Sequence, residues 1–407
     1  MKLVIAEKPS VAMALASVLG ARTRKDGYVE GNGYIVSWCV GHLVGLCDAS
    51  EYDEKYKKWR YDDLPIVPEC WKHKVLEGTK KQFGILKKLM RDSKVDEVIC
   101  ATDAGREGEL IFRLVYEQAG CKKPMKRLWI SSMEEQAIKD GFASLKDGSC
   151  YDSLYQSALC RAKADWLVGI NASRLFSVLY NQNLKVGRVQ TPTLAMIVDR
   201  NQKIKEFTKE KYYMAHIKFD DMDAVTENFQ KKEDADKVAA ECQERMCEVE
   251  KDDVKEKTVR PPKLYDLTTL QREANRMFGY TAQQTLDAVQ EMYEQKLVTY
   301  PRTDSQYLTD EMGESTETLI QMLFGKMPYA EGLEYQPDVS KVLNSKKVSD
   351  HHAIIPTMEV AKADIGELKE RSRKILYLIS ARVLTATADP YIYELSLIHI
   401  SEPTRLD

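Results

Sequence analysis

The chain opens on a short apolar run, Lys2–Ala6, closed by the polar turn Glu7-Lys8-Pro9-Ser10. Such a run, bounded by a turn, reads as a buried strand. Val11, Leu15, Val18 and Leu19 then recur at helical spacing, with Ser10 placed to cap a helix and Gly20 to stop it. Residues 34–40 predict a second strand, ending at Gly41-His42. Residues 97–101 predict a third, which runs into Thr102-Asp103-Ala104-Gly105-Arg106-Glu107-Gly108-Glu109 and a helix from Leu110 to about Gln118. A fourth strand at 127–131 leads to a helical stretch over 133–145. Strands alternating with helices predict an α/β layer around a mainly parallel sheet. From 153 to 206 the pattern turns helical, interrupted by the polar segment 181–190. Residues 210–255 alternate like strands around a charged helix at 231–246, and Pro261-Pro262 marks a boundary. Beyond it, Thr268-x-x-Gln271 and Thr281-x-x-Gln284 both match the capping box, and a strand at Leu297–Tyr300 follows. Helix, turn, helix, strand is a winged-helix outline.

Composition narrows the class. A length of 407 residues suggests two to four domains, and 43% hydrophobic with 30% charged residues is the balance of a globular protein, not a disordered one. No apolar run approaches the ~20 residues of a membrane span, and the first ten residues lack a signal-peptide pattern. The expected location is the cytoplasm. Nine cysteines without a CxxC pair predict free thiols and no zinc ribbon in this stretch. The net charge of −3 argues weakly against a nucleic-acid partner, but an average can hide a local basic groove.

Four constellations carry candidate chemistry. Glu7 follows the first strand, and Asp103, Glu107 and Glu109 follow the third. Strand C-terminal ends in a parallel sheet share one edge, where ligands bind, and carboxylates gathered there suit a hard divalent cation such as Mg²⁺. Any one of them alone reads as a solvated turn acid. Lys8 and Arg106 would add positive charge for a phosphate. The second constellation is Val298-Thr299-Tyr300-Pro301-Arg302-Thr303-Asp304-Ser305. A tyrosine can be a covalent nucleophile if its phenolate and the attacked phosphate are stabilised, and Arg302, two residues on in an extended chain, shares the side of Tyr300. With 21 tyrosines in the chain, packing is the competing reading. The third is Asp350-His351-His352-Ala353-Ile354-Ile355-Pro356-Thr357. These histidines lack Cys or Glu partners at metal spacing, which favours donation to phosphate. The fourth runs from Arg161 to Arg174 and from Lys185 to Thr193, where basic, amide and hydroxyl groups suit single-stranded nucleic acid or, alternatively, a solvated helical face.

Together these segments resemble the type IA DNA topoisomerases, most closely the topoisomerase III branch, from Met1 to about Glu394 and in the family's order. IAEKPS and ATDAGREGEL are similar to the acidic motifs of its Toprim domain, and WCVGHL to a strand end. ADWLVGINASR and VGRVQTPTLAMIVDR resemble its single-strand-binding segments, VTYPRTDS its active-site tyrosine motif, and DHHAIIPT its histidine motif. The resemblance implies that Tyr300 attacks a phosphodiester in single-stranded DNA. A 5′-phosphotyrosine and a free 3′-hydroxyl result, DNA passes through the gap, and the break is resealed without ATP. It implies that Arg302 stabilises the attacked phosphate, that Lys8 lies near it, and that Glu7 handles the leaving oxygen. His351 would contact the phosphate. Glu7, Asp103 and Glu107 would bind Mg²⁺. Arg161, Asp165, Arg188 and Gln190 fall in the DNA-binding segments.

Two departures matter. The family pattern Asp-x-Asp-x-Glu has Gly105 at its second acid, so the metal is expected to bind with more water or with help from Glu109. Residues 395–405, LSLIHISEPTR, read in register as a translated transposase adapter used in sequencing libraries. This predicts a non-native tail over 395–407, a missing return leg of the arch and an incomplete toroid. Apolar faces near 210–255 and 375–394 would then lack partners. The expected layout is multidomain, α/β and α. A Toprim α/β domain occupies 1–150, the first part of a helical strand-binding domain 151–208, and a strand-rich arch leg 209–258. A winged-helix-like domain carrying Tyr300 follows at 259–380, with the start of the return leg at 381–394. The competing functional readings are a DNA-binding fragment that grips single strands without turnover and, well below it, another Toprim enzyme such as a primase or nuclease.

Overall fold

The computed structural model describes residues 1–219, 222–243, 248–332, 336–348 and 351–401. Asp350 of the histidine motif and residues 402–407 of the expected tail lie outside the described residues. The chain forms two compact units, one of residues 1–188 with 261–389 and the other of residues 189–260 with 390–407.

The first unit is built on a seven-stranded sheet. Its strands are β1 (Lys2–Ala6), β2 (Thr23–Lys25), β3 (Tyr28–Gly31) and β4 (Tyr34–Trp38), and, after a separate hairpin of β5 (Val44–Leu46) and β6 (His73–Val75), β7 (Glu97–Ala101), β8 (Met125–Arg127) and β9 (Lys146–Asp147). The order is β2-β3-β4-β1-β7-β8-β9. The four central strands, β4, β1, β7 and β8, run parallel. Both faces are covered, which is why β1 reads as a continuous apolar run. Successive side chains point to opposite faces. Val4 and Ala6 of β1, with Ile99 and Ala101 of β7, join one core. Leu3, Ile5, Val98 and Cys100 join the other.

Helices α1 (Pro9–Leu19) and α4 (Glu135–Ala143) contribute to the first core. Helices α2 (Lys80–Arg91), α3 (Arg106–Ala119) and the start of α5 (Asp152–Tyr180) contribute to the second. Pro9 takes the first turn of α1, where its missing N–H costs nothing, and Gly20 closes the helix in the left-handed conformation at φ 76°. Lys8, not Ser10, occupies the capping position.

The second unit holds α6 (Gln190–Lys205), a hairpin of β10 (His216–Phe219) and β11 (Met222–Val225), α7 (Lys232–Cys242) and the long strand β12 (Glu248–Val259). In the first unit the chain continues as α8 (Leu267–Phe278), α9 (Ala282–Glu294), α10 (Gly313–Lys326) and α11 (Glu370–Ala386), and it returns to the second unit as β13 (Tyr391–Ser401). Of the two expected capping boxes, Thr281 and Gln284 form both reciprocal bonds. Thr268 does not cap: Asp266 does, accepting from the Thr269 N–H at 2.6 Å, so α8 starts two residues earlier, at Leu267. The strand expected at Leu297–Tyr300 is reduced to a single bridge, Val298 to Pro356, because this segment bonds to the irregular 353–357 stretch instead of to a regular partner strand.

The expected unpartnered apolar surface is present in part: Tyr212, Met214 and Val225 in one stretch, and Tyr391 and Ile392 in the other, are 40–68% exposed, while the backbone of β12 and the helix α11 have partners. Strand β12 is paired antiparallel with β13 from Val259↔Tyr391 to Glu248↔Ser401. A ladder of backbone bonds does not depend on side-chain identity, so the expected non-native residues 395–401 can still supply it. Helix α11 is packed, with Ile375, Leu376, Ile379 and Val383 at 1% exposure or less. A further cluster lies on α6, which buries nothing: Leu194, Met196, Ile197, Val198 and Ile204 are all more than half exposed. Among the described residues no helix is long and apolar enough to cross a membrane.

Candidate active site

The register of the sheet assembles the site. Ala6 pairs with Trp38 on one side and with Ala101 on the other, so β4, β1 and β7 end level. Glu7 and Thr102-Asp103 therefore leave the same edge side by side, and the Asp103 N–H donates to Glu7 Oε2 at 3.3 Å. Helix α3 begins at Arg106, four residues before the expected Leu110, and its first turn folds tightly back on Asp103. A Cβ on Gly108 would sit 2.1 Å from the Asp103 carbonyl oxygen, so only glycine permits that approach. Thr102 locks the turn by donating to the Gly108 carbonyl at 2.8 Å.

Above this edge lies a cleft of about 730 Å³ lined by Glu7, Lys8, His42, Asp103, Gly105, Glu107, Arg161, Tyr300, Arg302 and His351 among others. Residues nearly 300 positions apart in sequence thus meet within the first unit. The Tyr300 hydroxyl donates to Asp103 Oδ2 at 3.1 Å. Its ring packs 4.3 Å from that of His351 and edge-on at 5.4 Å to Tyr293. His351 is fixed by a 3.2 Å contact between Nδ1 and Ser131 Oγ.

Burial dominates the electrostatics. It pushes the Glu7 carboxyl up to about 7; the Asp103 charge adds to this and Lys8 opposes it. Burial also raises Asp103, against the pull of Lys8. The Tyr300 phenol lies well above its ordinary range, through burial first and then the charges of Asp103 and Glu7, with Arg302 acting in the opposite sense. Burial drives His351 down to about 4, leaving it neutral at pH 7. The free site therefore holds a neutral nucleophile, a neutral histidine and two carboxylates that resist sharing negative charge.

The expected metal set is only partly assembled. Glu7 and Asp103 offer hard oxygen donors at one place, which fits a divalent cation. Glu107 is instead engaged by His42 Nε2 at 3.4 Å, and the bond from His42 lowers its carboxyl. Among the described residues no group of three His, Cys, Asp or Glu side chains is arranged to hold an ion. Glu109 does not help. It is 1% exposed and pairs inward with Arg113 at 2.8 Å and Arg127 at 3.0 Å.

Of the expected DNA-binding residues, Arg161 lines the cleft. Asp165 and Arg188 are exposed and pair with each other through a two-point ion pair. Gln190 is the exposed first residue of α6, in the second unit. Arg127 belongs to the site's support without any sequence motif that marks it. Its side chain is fully buried and donates to the carbonyls of Cys100, Thr102, Asp103 and Leu128 at 2.7–3.2 Å. It sits 5.1 Å from the Trp129 ring. Arg127 thus holds the backbone on which Asp103 stands.

A family profile described as "Toprim domain" matches residues 2–133, and one described as "DNA topoisomerase" matches residues 149–404, more than half of the chain. The chain belongs to the DNA topoisomerase family. This topoisomerase-family chain is 44% identical to the DNA topoisomerase 3 of Shouchella clausii over 413 aligned residues, covering 98% of this chain and 56% of that one. With the DNA topoisomerase 3 of Staphylococcus epidermidis the identity is 42% over 407 residues, with 98% and 57% covered. The solved full-length topoisomerase I of Thermotoga maritima superposes with a TM-score of 0.71 at 25% identity, covering 98% of this chain and 63% of that one. The chain is therefore similar to type IA enzymes of the topoisomerase III kind, and it spans little more than half the length of these topoisomerase 3 relatives.

Proposed function

We propose that this chain carries the strand-cleavage centre of an ATP-independent DNA topoisomerase, with Tyr300 as the nucleophile toward single-stranded DNA. The observation that carries this reading is the hydrogen bond from the Tyr300 hydroxyl to Asp103, in a cleft shared with Glu7, Lys8, Arg302 and His351. In the proposed step the Tyr300 oxygen bonds to phosphorus and the bond from phosphorus to the 3′-oxygen breaks. The tyrosine proton passes to Asp103, which already accepts its hydrogen bond. The 3′-oxygen takes the proton that Glu7, with its raised carboxyl, retains near neutral pH. Arg302 and Lys8 oppose the charge on the phosphate oxygens, and His351, being neutral, donates without adding charge. Resealing is the same path reversed, so the energy of the broken ester is retained and no nucleotide is consumed. Strand passage between the two steps is part of the same proposal. The proposed layout is a Toprim α/β domain over 1–150, a strand-binding segment over 151–208, an arch leg over 209–258, a winged-helix-like domain over 259–380 and the start of a return leg over 381–394.

Glu7 and Asp103 would hold Mg²⁺, with Glu107 joining them if it leaves His42. A bound ion would supply positive charge against the phosphate and the 3′-oxygen during resealing. Gly105 offers a test. Its φ of 179° is extended backbone, and nothing lies within 4 Å of an added Cβ. An aspartate there therefore fits without strain and adds a carboxylate to the cleft wall. Gly105→Asp is expected to shift the Mg²⁺ midpoint of religation about tenfold lower; coincident titration curves would count against this assignment.

The competing reading is a fragment that binds single strands without breaking them. Digestion of protein incubated with single-stranded DNA, followed by mass spectrometry, separates the two. The proposal requires a nucleotide adduct on the peptide carrying Tyr300. Adduct on another residue, or none, would overturn it.

A further inference from the structure

Seven residues beyond the nucleophile, a phenol is flanked by two cations. Lys347 Nζ lies 4.8 Å from the centre of the Tyr307 ring and 3.4 Å from its hydroxyl. Lys263 Nζ lies 5.4 Å from the same ring. Both lysines are exposed, and the tyrosine is half-buried. Among the described residues neither ammonium group pairs with a carboxylate. Two like charges gathered on one ring repel, and cation–π attraction of about 0.5–1 kcal/mol each at an exposed site offsets only part of that. The arrangement is the kind an anion completes.

The platform beneath is rigid and tied to the cleavage cleft. Ser305, 4% exposed, donates to the carbonyls of Tyr307 at 3.2 Å and Lys347 at 3.0 Å, and it accepts from the Tyr307 N–H at 3.1 Å. The Tyr307 carbonyl accepts from the Ala353 N–H at 2.9 Å. Ala353 is two residues past His351, whose ring packs on Tyr300. Thr303 adds a bond to the His351 carbonyl at 2.9 Å. The nucleophile, Tyr307 and Lys347 therefore stand on one cross-braced stretch of chain, and Lys263 reaches the Tyr307 ring from outside it.

We propose that Lys263, Lys347 and the Tyr307 hydroxyl form a binding site for a backbone phosphate of the DNA strand on the 3′ side of the cleaved bond. This rests on the proposed function, in which that strand becomes joined to Tyr300 through its 5′-phosphate. The site would hold the joined strand to the same platform as the nucleophile while the other end carries the free 3′-hydroxyl. An ammonium pair and a hydroxyl suit a phosphodiester oxygen as point donors, and they read no base.

The test uses the whole chain with Tyr300→Phe, so that binding is measured without cleavage. The variants add Lys263→Ala and Lys347→Ala together, or both changes to arginine. On a single-stranded oligonucleotide spanning the cleavage site, the double alanine variant is expected to bind about tenfold more weakly. Its salt slope should be lower by about one for each lysine lost, and the arginine pair should restore both. An oligonucleotide ending at the scissile phosphate should bind the double alanine variant and its parent equally. Unchanged affinity and slope on the long strand would overturn the proposal, as would an equal loss on the short one. The salt slope needs no mapped cleavage site. A lysine effect without any Tyr300 adduct in the unsubstituted protein would therefore sink the proposed function and leave the phosphate site standing.

Discussion

Arg127→Ala is expected to cost about 3–5 kcal/mol of stability in the first unit, measured by urea unfolding. The guanidinium is fully buried, so removing it strands Glu109, itself 1% exposed, with Arg113 as its remaining partner. Four carbonyls at the ends of β7 and β8 lose the guanidinium at the same time; Cys100 keeps the bond from the Leu128 N–H, and each acceptor left unsatisfied carries its own penalty. Lysine would not rescue, because a single ammonium cannot reach four carbonyls and a carboxylate in one plane. Arg127→Met combined with Glu109→Gln should recover part of the loss, since the orphaned charge is then gone. A loss below about 1 kcal/mol for Arg127→Ala would show that the network is not what holds the Asp103 turn.

Glu7→Gln is expected to move stability and activity in opposite directions. The Glu7 carboxyl rises from 4.5 to about 7 on folding, so between those values the folded chain keeps a proton that the unfolded chain has lost. Stability contributed by this residue therefore falls as pH rises through that window and stays low above it. Glutamine removes the dependence. In the absence of divalent ions the variant should match the parent near pH 4.5 and exceed it by up to about 3 kcal/mol at pH 8. Cleavage should fall by about 10²–10⁴ at the same time, through loss of the proton donor. Parallel melting curves across pH would contradict the assigned burial. Unchanged cleavage would remove Glu7 from the reaction.

The two expectations share a structural cause, and it marks what could be read from the sequence. Strands β1 and β7 are short apolar runs with turn residues after them, and their ends are where Glu7 and Asp103 were expected. The parallel register then put them together. Tyr300, Arg302, Lys8, His351 and Arg161 were legible as motifs, and they share one cleft. What could not be read is direction. Glu107 and Glu109 lie two apart on α3, and helical geometry turns one toward His42 and the other into the core. Arg127 sits in an apolar stretch, and nothing local distinguishes a buried hub from a surface charge. Thr268 matched a capping pattern, but Asp266 lay two residues upstream and reached the helix start first. The 297–300 segment has strand composition, yet its partner stretch is irregular, so pairing stops at one bridge. The closest two of Tyr307, Lys263 and Lys347 are 40 residues apart in sequence, and only the fold joins them.

The most direct test of the central claim is the polarity of the covalent bond. One oligonucleotide is labelled at its 3′ end and, separately, at its 5′ end, then incubated with the protein and denatured, with Tyr300→Phe alongside. The account predicts that only the 3′ label migrates with the protein and that the phenylalanine variant carries none. Transfer of the 5′ label, or 3′ label persisting on the variant, would contradict it.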